Sequence, residues 1–266
     1  MLPDDADFHA YAALLALADR EPQSQRSLAV ALGVSTTTLT SVAQALHRDG
    51  LVGRVRDRAD RRCYSLTRTS AGCCAVRRWA PHAECLDRHL TAALRPEAEA
   101  DRLRELLLDV IADHPLSLTP PALLSSTGFL LTRAHQRAHR EFATALTPLG
   151  IEPRDFGTMR CLQVAGPVPQ GDVASLLDVS PASVVQIVDG LESSGLVVRQ
   201  RGVEDRRVYL LHLSARAEDV LAESSELSDH VLEDRLGGPG SQRRRDFVRL
   251  LGTLLGGRAD AGVADS

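Results

Sequence analysis

The chain repeats itself. Residues 35–72 align with residues 180–217 without a gap, a constant offset of 145, and twelve of the 38 aligned positions are identical. Among them are Ser35/Ser180, Leu46/Leu191, Gly50/Gly195, Arg54/Arg199, Arg56/Arg201, Asp60/Asp205 and Tyr64/Tyr209. A segment that recurs in register folds twice in the same way, so any architecture must give both copies the same surroundings. In each copy a serine begins a run of helical periodicity, where its oxygen can satisfy an orphan N–H of the first turn. A glycine then ends the run, where a left-handed residue closes a helix. Two short strands follow in the first copy, Leu51–Arg54 and Cys63–Leu66, around a tip rich in arginine and aspartate.

The segments around the repeat read mainly as helices. Apolar stretches at residues 8–18 and 27–32 precede the first copy, with Gly33 as the break before Ser35. Two helices are expected after it, at 74–94 and 97–112; in the second, Leu103, Leu106, Leu107, Val110 and Ile111 recur at helical spacing. Residues 114–122 hold three prolines and read as a linker. A long helix at 123–146 opens the second half, and the first half lacks a counterpart to it. Asp155-Phe156 matches Asp7-Phe8. Helices at 216–236 and 243–255 close the chain, separated by the breaker at Gly237. The expected domains are therefore 1–113 and 123–256, with a frayed tail at 257–266.

Charge is informative only when it is divided by segment. The net charge is −4, from 31 basic and 35 acidic residues, and every base is arginine. Residues 54–62 hold five arginines against two aspartates, and residues 199–207 hold four against Glu204 and Asp205. Residues 216–234 hold one arginine and seven acids. A polyanion would meet the hairpins rather than the helix that follows them.

Helix, helix, third helix, hairpin with Asp-Arg-Arg, then long helices: this arrangement resembles the MarR family. The residues that carry the likeness are Val34-Ser35, Leu46, Gly50-Leu51-Val52, Asp60-Arg61-Arg62, Thr69 and Gly72, and then Val179-Ser180, Leu191, Gly195-Leu196-Val197, Asp205-Arg206-Arg207 and Ser214. The resemblance implies a mainly α fold with small β-wings: two winged helix-turn-helix domains joined by a helical, dimerisation-like hub. It implies a transcription regulator, a repressor released by a small-molecule effector, whose partner is double-stranded DNA; an odd set of five cysteines without framework spacing, and no signal peptide, make the cytoplasm the expected location. The third helix of each unit would enter the major groove, where each base pair presents its own donor and acceptor pattern. The first copy offers Ser35, Thr36, Thr37, Thr38, Thr40, Ser41 and Gln44, and the second Ser180, Ala182, Ser183, Val185 and Gln186. Because Val185 replaces Thr40, the two helices are unequal readers, and an operator with two unlike half-sites is expected. In the wings, Asp60 and Asp205 are the expected braces, with Arg54, Arg61, Arg62, Arg199, Arg206 and Arg207 as their partners. Tip residues Arg56, Arg58 and Arg201 are candidates for the minor groove. One chain would thus act as a monomeric pseudo-dimer, with a homodimer as the other assembly.

Other signals weigh less against their ordinary explanations. His82, Cys85 and His89 share one helical face, and His135 and His139 are four apart. One stripe of a single helix rarely supplies a closed metal site, so no metal is expected. Cys73 and Cys74 are adjacent, and a free cysteine is usually a small hydrophobe. Trp79, with Phe129 and Phe142, is a candidate wall for an aromatic effector; the plainer alternative is core. No nucleophile–base pair, phosphate loop or glycine-rich cofactor motif is present, so neither catalysis nor a cofactor is expected. No apolar run is long enough to span a bilayer. The competing readings are an effector-binding or protein-interaction module whose second half has lost DNA reading, and a metal- or redox-sensing regulator.

Overall fold

The computed structural model describes residues 7–17, 22–56, 64–112, 116–202 and 208–256. Arg58, Asp60, Arg61, Arg62, Asp205, Arg206 and Arg207 lie outside them, as do Cys63, the start of the proline-rich segment and the tail from 257. The described chain is mostly helical and packs as two units, 1–136 with 235–266, and 137–234.

In the first unit α1 (Phe8–Ala16), α2 (Gln25–Leu32) and α3 (Thr36–Arg48) precede the hairpin β2 (Val52–Arg56) and β3 (Tyr64–Arg68). The two-residue strand β1 (Gln23–Ser24) adds to β3, so the sheet order is β1-β3-β2, all antiparallel. Helices α4 (Ser70–Leu90) and α5 (Glu97–Val110) follow, then the short α6 (Pro121–Leu124) and the long α7 (Thr127–Leu146). The second unit repeats the plan with α8 (Pro153–Ala165), β4 (Val168–Pro169), α9 (Gln170–Leu177), α10 (Pro181–Ser193), β5 (Val197–Arg201), β6 (Tyr209–Leu213) and α11 (Ala215–His230). Its sheet order is β4-β6-β5. The short α12 (Glu233–Leu236) and α13 (Gln242–Leu254) end the described chain.

Local chemistry explains the boundaries. The Ser35 and Ser180 oxygens accept from the backbone N–H groups of Thr38 and Ser183, at 2.9 and 3.1 Å, and cap α3 and α10. At the other end Gly50 and Gly195 are left-handed (φ 70° and 69°), and the next N–H returns to Leu46 or Leu191 at 2.8 and 2.9 Å. Helix α4 starts at Ser70, four residues before the expected 74, because Thr69 caps it through the Gly72 N–H. The offset of 145 persists into the flanking helices, where α1 begins at Phe8 and α8 at Pro153. The counterpart of Asp7, the cap of α1, is therefore Glu152; Asp155 instead reaches back to the Glu152 N–H from inside α8.

The helix-turn-helix bends by 112° between α2 and α3, and by 115° between α9 and α10. At the first bend Gly33 is left-handed (φ 66°) and at the second Asp178 is (φ 52°). Aspartate is one of the few side chains that tolerates that region. Arg133 of α7 seats its guanidinium against Gly33 and donates to the Val30 carbonyl at 3.4 Å, a cation at a helix C-terminus. The core of the second unit gathers Met159, Leu162, Val173, Val184, Val188, Leu191, Val197 and Leu211.

Helices α5 and α13 pack together within the first unit. They are the same helix of the two repeats, since Glu97 and Gln242, their first residues, stand 145 apart. Leu103, Leu106, Leu107, Phe247 and Leu250 are buried there. Arg243–Asp109, Arg249–Glu99 (2.6 Å) and Arg102–Asp246 (3.5 Å) pair along the edges.

Candidate nucleic-acid interface

Each unit presents the solvent-facing side of its third helix next to one strand of its hairpin. On α3, Leu39, Ala43 and Leu46 face the core, leaving Thr36, Thr37, Thr38, Ser41 and Gln44 exposed and Thr40 half-buried. On α10, Val184, Ile187, Val188 and Leu191 are buried, and Ala182, Ser183, Val185 and Gln186 are exposed. All the sequence-predicted helix positions thus lie on one outward face in each unit. Ser35 and Thr38 bond through their hydroxyls at 2.8 Å, as do Ser180 and Ser183 at 2.7 Å. Those first-turn hydroxyls are partly occupied in holding the helix end itself.

The wings begin alike and then differ. Arg54 pairs across its sheet with Leu66, and Arg199 with Leu211, so both guanidinium groups leave β-strands at the same register. Arg54 and Arg56 are exposed, and Arg54 has no ion pair among the described residues. Arg199 is only 22% exposed, because Asp189 (2.6 Å) and Glu192 of α10 grip it. The Gln170 side chain accepts two further bonds from it, at 3.2 and 3.3 Å. Chiefly the Asp189 hydrogen bond, with Glu192 behind it, raises the Arg199 pKa above its ordinary value. In the first unit the equivalents of Asp189 and Glu192 are Gln44 and His47, which carry no carboxylate. The equivalent of Gln170, Gln25, lies 3.1 Å from the Thr40 hydroxyl, which is closer, at 2.7 Å, to the Thr36 carbonyl of its own helix. Arg201 lies over the Tyr209 ring at 5.8 Å and donates to its hydroxyl at 3.3 Å.

A second feature belongs to the first unit alone. A cleft of about 700 Å³ opens among α1, α4, α5 and α6, with Phe8, Tyr11, Arg88, Arg95, Arg104 and Leu123 in its wall. Burial, and then Glu84, raises the Tyr11 pKa. Asp87, also in the wall, accepts from the Ser126 and Thr127 hydroxyls (3.3 Å each) and the Gly128 N–H (3.2 Å), and so caps α7. The expected aromatic trio lies elsewhere. Trp79 is 1% exposed and borders a small cleft of about 80 Å³ beside Leu46 and Leu51. Phe129 is buried in the first unit. Phe142 packs edge-on against Phe156 in the second, at 5.1 Å.

The histidine and cysteine stripe is not a ligand cluster. His89 Nδ1 lies 2.7 Å from the Cys85 carbonyl of its own helix and 3.4 Å from the Cys85 sulfur. No three of His, Cys, Asp and Glu converge on one point among the described residues. Cys74 is exposed, Cys73 half-buried, and burial pushes the Cys161 thiol up. No single helix among the described residues is long and apolar enough to cross a membrane.

Comparison with known proteins agrees with this geometry. Models of the MarR family match twice, at residues 5–62 and 151–209. A protein of Thauera aromatica named as a transcriptional regulatory protein for the hcr operon is 32% identical over 136 residues, 51% of this chain and 78% of its own length. An HTH-type transcriptional repressor of Mycobacterium tuberculosis strain H37Rv is 28% identical over 128 residues, 48% of this chain and 91% of its own. Among solved structures, CouR from Rhodococcus jostii RHA1, bound to p-coumaroyl-CoA, aligns with a TM-score of 0.43 at 26% identity, over 50% of this chain and 93% of that one.

Proposed function

This chain belongs to the MarR family of DNA-binding transcriptional regulators, and we propose that it acts as a repressor in which one polypeptide supplies both reading heads. The observation that carries this reading is the packing of α5 on α13, the same helix of the two repeats, inside one chain. A self-complementary contact of that kind joins two protomers in a symmetric dimer; here it is covalently closed. The DNA-facing residues are those exposed on α3 and α10, together with Arg54, Arg56, Arg199 and Arg201. Arg58, Arg61, Arg62, Arg206 and Arg207 complete the wings in this reading, braced by Asp60 and Asp205. Domains at 1–113 and 123–256 would each carry one head. The operator has two unlike half-sites about one helical turn apart, because the two helix faces differ at Thr40/Val185 and Gln44/Asp189.

The effector site in this reading is the cleft of the first unit. Its wall sets Phe8 and Tyr11 beside three arginines and three acids (Glu84, Asp87 and Glu97), which suits a small aromatic molecule whose anionic group meets the arginines, and Asp87 ties that wall to the start of α7. Helix α7 in turn seats Arg133 against the turn before α3. An effector that draws Asp87 away biases the position of α7, and with it the first head.

The test is anisotropy binding of the purified chain to the DNA upstream of its own gene over a salt series, with the mass of the complex measured in parallel. One chain per operator is the expected result. Two chains per operator would sink the single-chain reading, and no binding at low salt would favour a protein-interaction module.

A further inference from the structure

Resting on that DNA-binding reading, we propose that the second reading head carries an internal latch: Asp189 and Glu192 of its recognition helix hold Arg199 in place of a DNA phosphate, so that the first head supplies most of the electrostatic attraction. The two heads share one fold and one register, so their equivalent positions can be compared directly. Arg54 and Arg199 leave equivalent strands at the same register. The helices beside them differ in charge. Helix α3 contains Arg48 and no acid, whereas α10 contains Asp189 and Glu192 and no base. The helices therefore bring formal charges of +1 and −2 toward the same polyanion.

The latch has three hands. Asp189 and Glu192 lie one turn apart on α10 and close on Arg199 from one side, and Gln170 of α9 closes from the other. In the first head the equivalent Gln25 lies 3.1 Å from the Thr40 hydroxyl, and Val185 stands at the Thr40 position in the second. Three differences in the helix, Val185, Asp189 and Glu192, thus accompany the changed bonding of its neighbour. A single exposed ion pair is weak. Here two carboxylates share one guanidinium that is mostly withdrawn from solvent. A phosphate approaching this face must displace the carboxylates and also lie beside them uncompensated. Val185, 43% exposed on the same face, adds an apolar contact suited to a thymine methyl beside the polar Ser183 and Gln186.

Phosphate contacts set the salt dependence of DNA binding, each worth a slope of about 0.9 in log K against log salt. The experiment is anisotropy on the upstream duplex with Asp189→Asn/Glu192→Gln, which keeps the shapes and removes the charge at positions 60% and 43% exposed. Affinity should rise several-fold and the slope should steepen by about 0.9, as Arg199 gains a phosphate. The reciprocal change in the first head, Gln44→Asp/His47→Glu, should lower affinity and flatten the slope by a similar amount. Thermal melts of both variants separate loss of fold from loss of charge.

An unchanged slope in either variant overturns the latch. So does a fall in affinity for the first variant, which would mean that the two carboxylates accept bonds from bases directly. If the unmodified chain binds no duplex at low salt, it is the DNA-binding reading that fails; if it binds and the variants do not diverge, only the latch fails.

Discussion

Alanine at Gly33 should destabilise the first unit several-fold more than alanine at Gly50, although both glycines are left-handed, at φ 66° and 70°. An L side chain in that region costs about 1–2 kcal/mol. Restriction of the unfolded chain returns about 0.4–1 kcal/mol of that. At Gly50 nothing lies within 4 Å of an added methyl group, so the net loss there is about 1 kcal/mol. At Gly33 the methyl would sit 1.2 Å from the Arg133 Nη1 and 2.2 Å from its Cζ. The guanidinium, 3% exposed, has to withdraw and give up its bond to the Val30 carbonyl. A charge-assisted hydrogen bond is worth about 1.5–3 kcal/mol, which brings the expected loss to roughly 3–4 kcal/mol. Trp79 is the one tryptophan and is buried in the first unit, so its fluorescence in a urea titration reports this unit selectively. The double variant Gly33→Ala/Arg133→Ala should be less destabilised than the sum of its parts, since the clash disappears with the arginine. Equal losses at Gly33 and Gly50 would refute the seating of Arg133 on this turn.

The joined helices α5 and α13 should depend on their apolar seam and little on its charged edges. Leu106→Ala is expected to cost about 2–5 kcal/mol by denaturant titration, and Arg249→Ala under about 1 kcal/mol, falling further in high salt. Arg54→Ala should reduce the salt slope of DNA binding by about 0.9, with only a small change in melting temperature. Tyr11 gives a pH dependence of defined sign. Its pKa is raised in the folded chain, so its contribution is complete below the unfolded value, near 10, and is lost as pH rises through the folded value. Melts between pH 9 and 11 should show that loss, and Tyr11→Phe should abolish it.

How much the sequence disclosed depended on how far apart the cooperating residues stand. Ser35, Ser180, Gly50 and Gly195 were legible because a cap bonds within a few residues of itself, so the relevant geometry is written locally. The gapless repeat announced the helix faces and wings for the same reason. Arg133 was not legible as a partner of Gly33, because a hundred residues separate them and only the return of α7 brings them together. The acids on α10 were visible, yet their grip on Arg199 needed the hairpin folded back on the helix. Asp155 shows the opposite error: it shares a dipeptide with Asp7 but sits three residues inside its helix, where Glu152 takes the equivalent place. The aromatic trio does not line the cleft, for a general reason. Large aromatic side chains mark burial before they mark binding, and the cleft is walled largely by arginine, acid and small residues.

The closure of α5 on α13 also bears on how such a regulator answers to its own abundance. Two separate chains must first meet, so at low expression the population of paired molecules falls with the square of chain concentration. Helices joined by one backbone meet at an effective concentration set by the intervening chain, whatever the number of copies in the cell. If one chain fills the operator, as proposed, its occupancy declines in simple proportion to copy number. In that proposed arrangement a handful of molecules suffices to hold a gene shut, and each head is free to diverge without spoiling a partner encoded by the same gene.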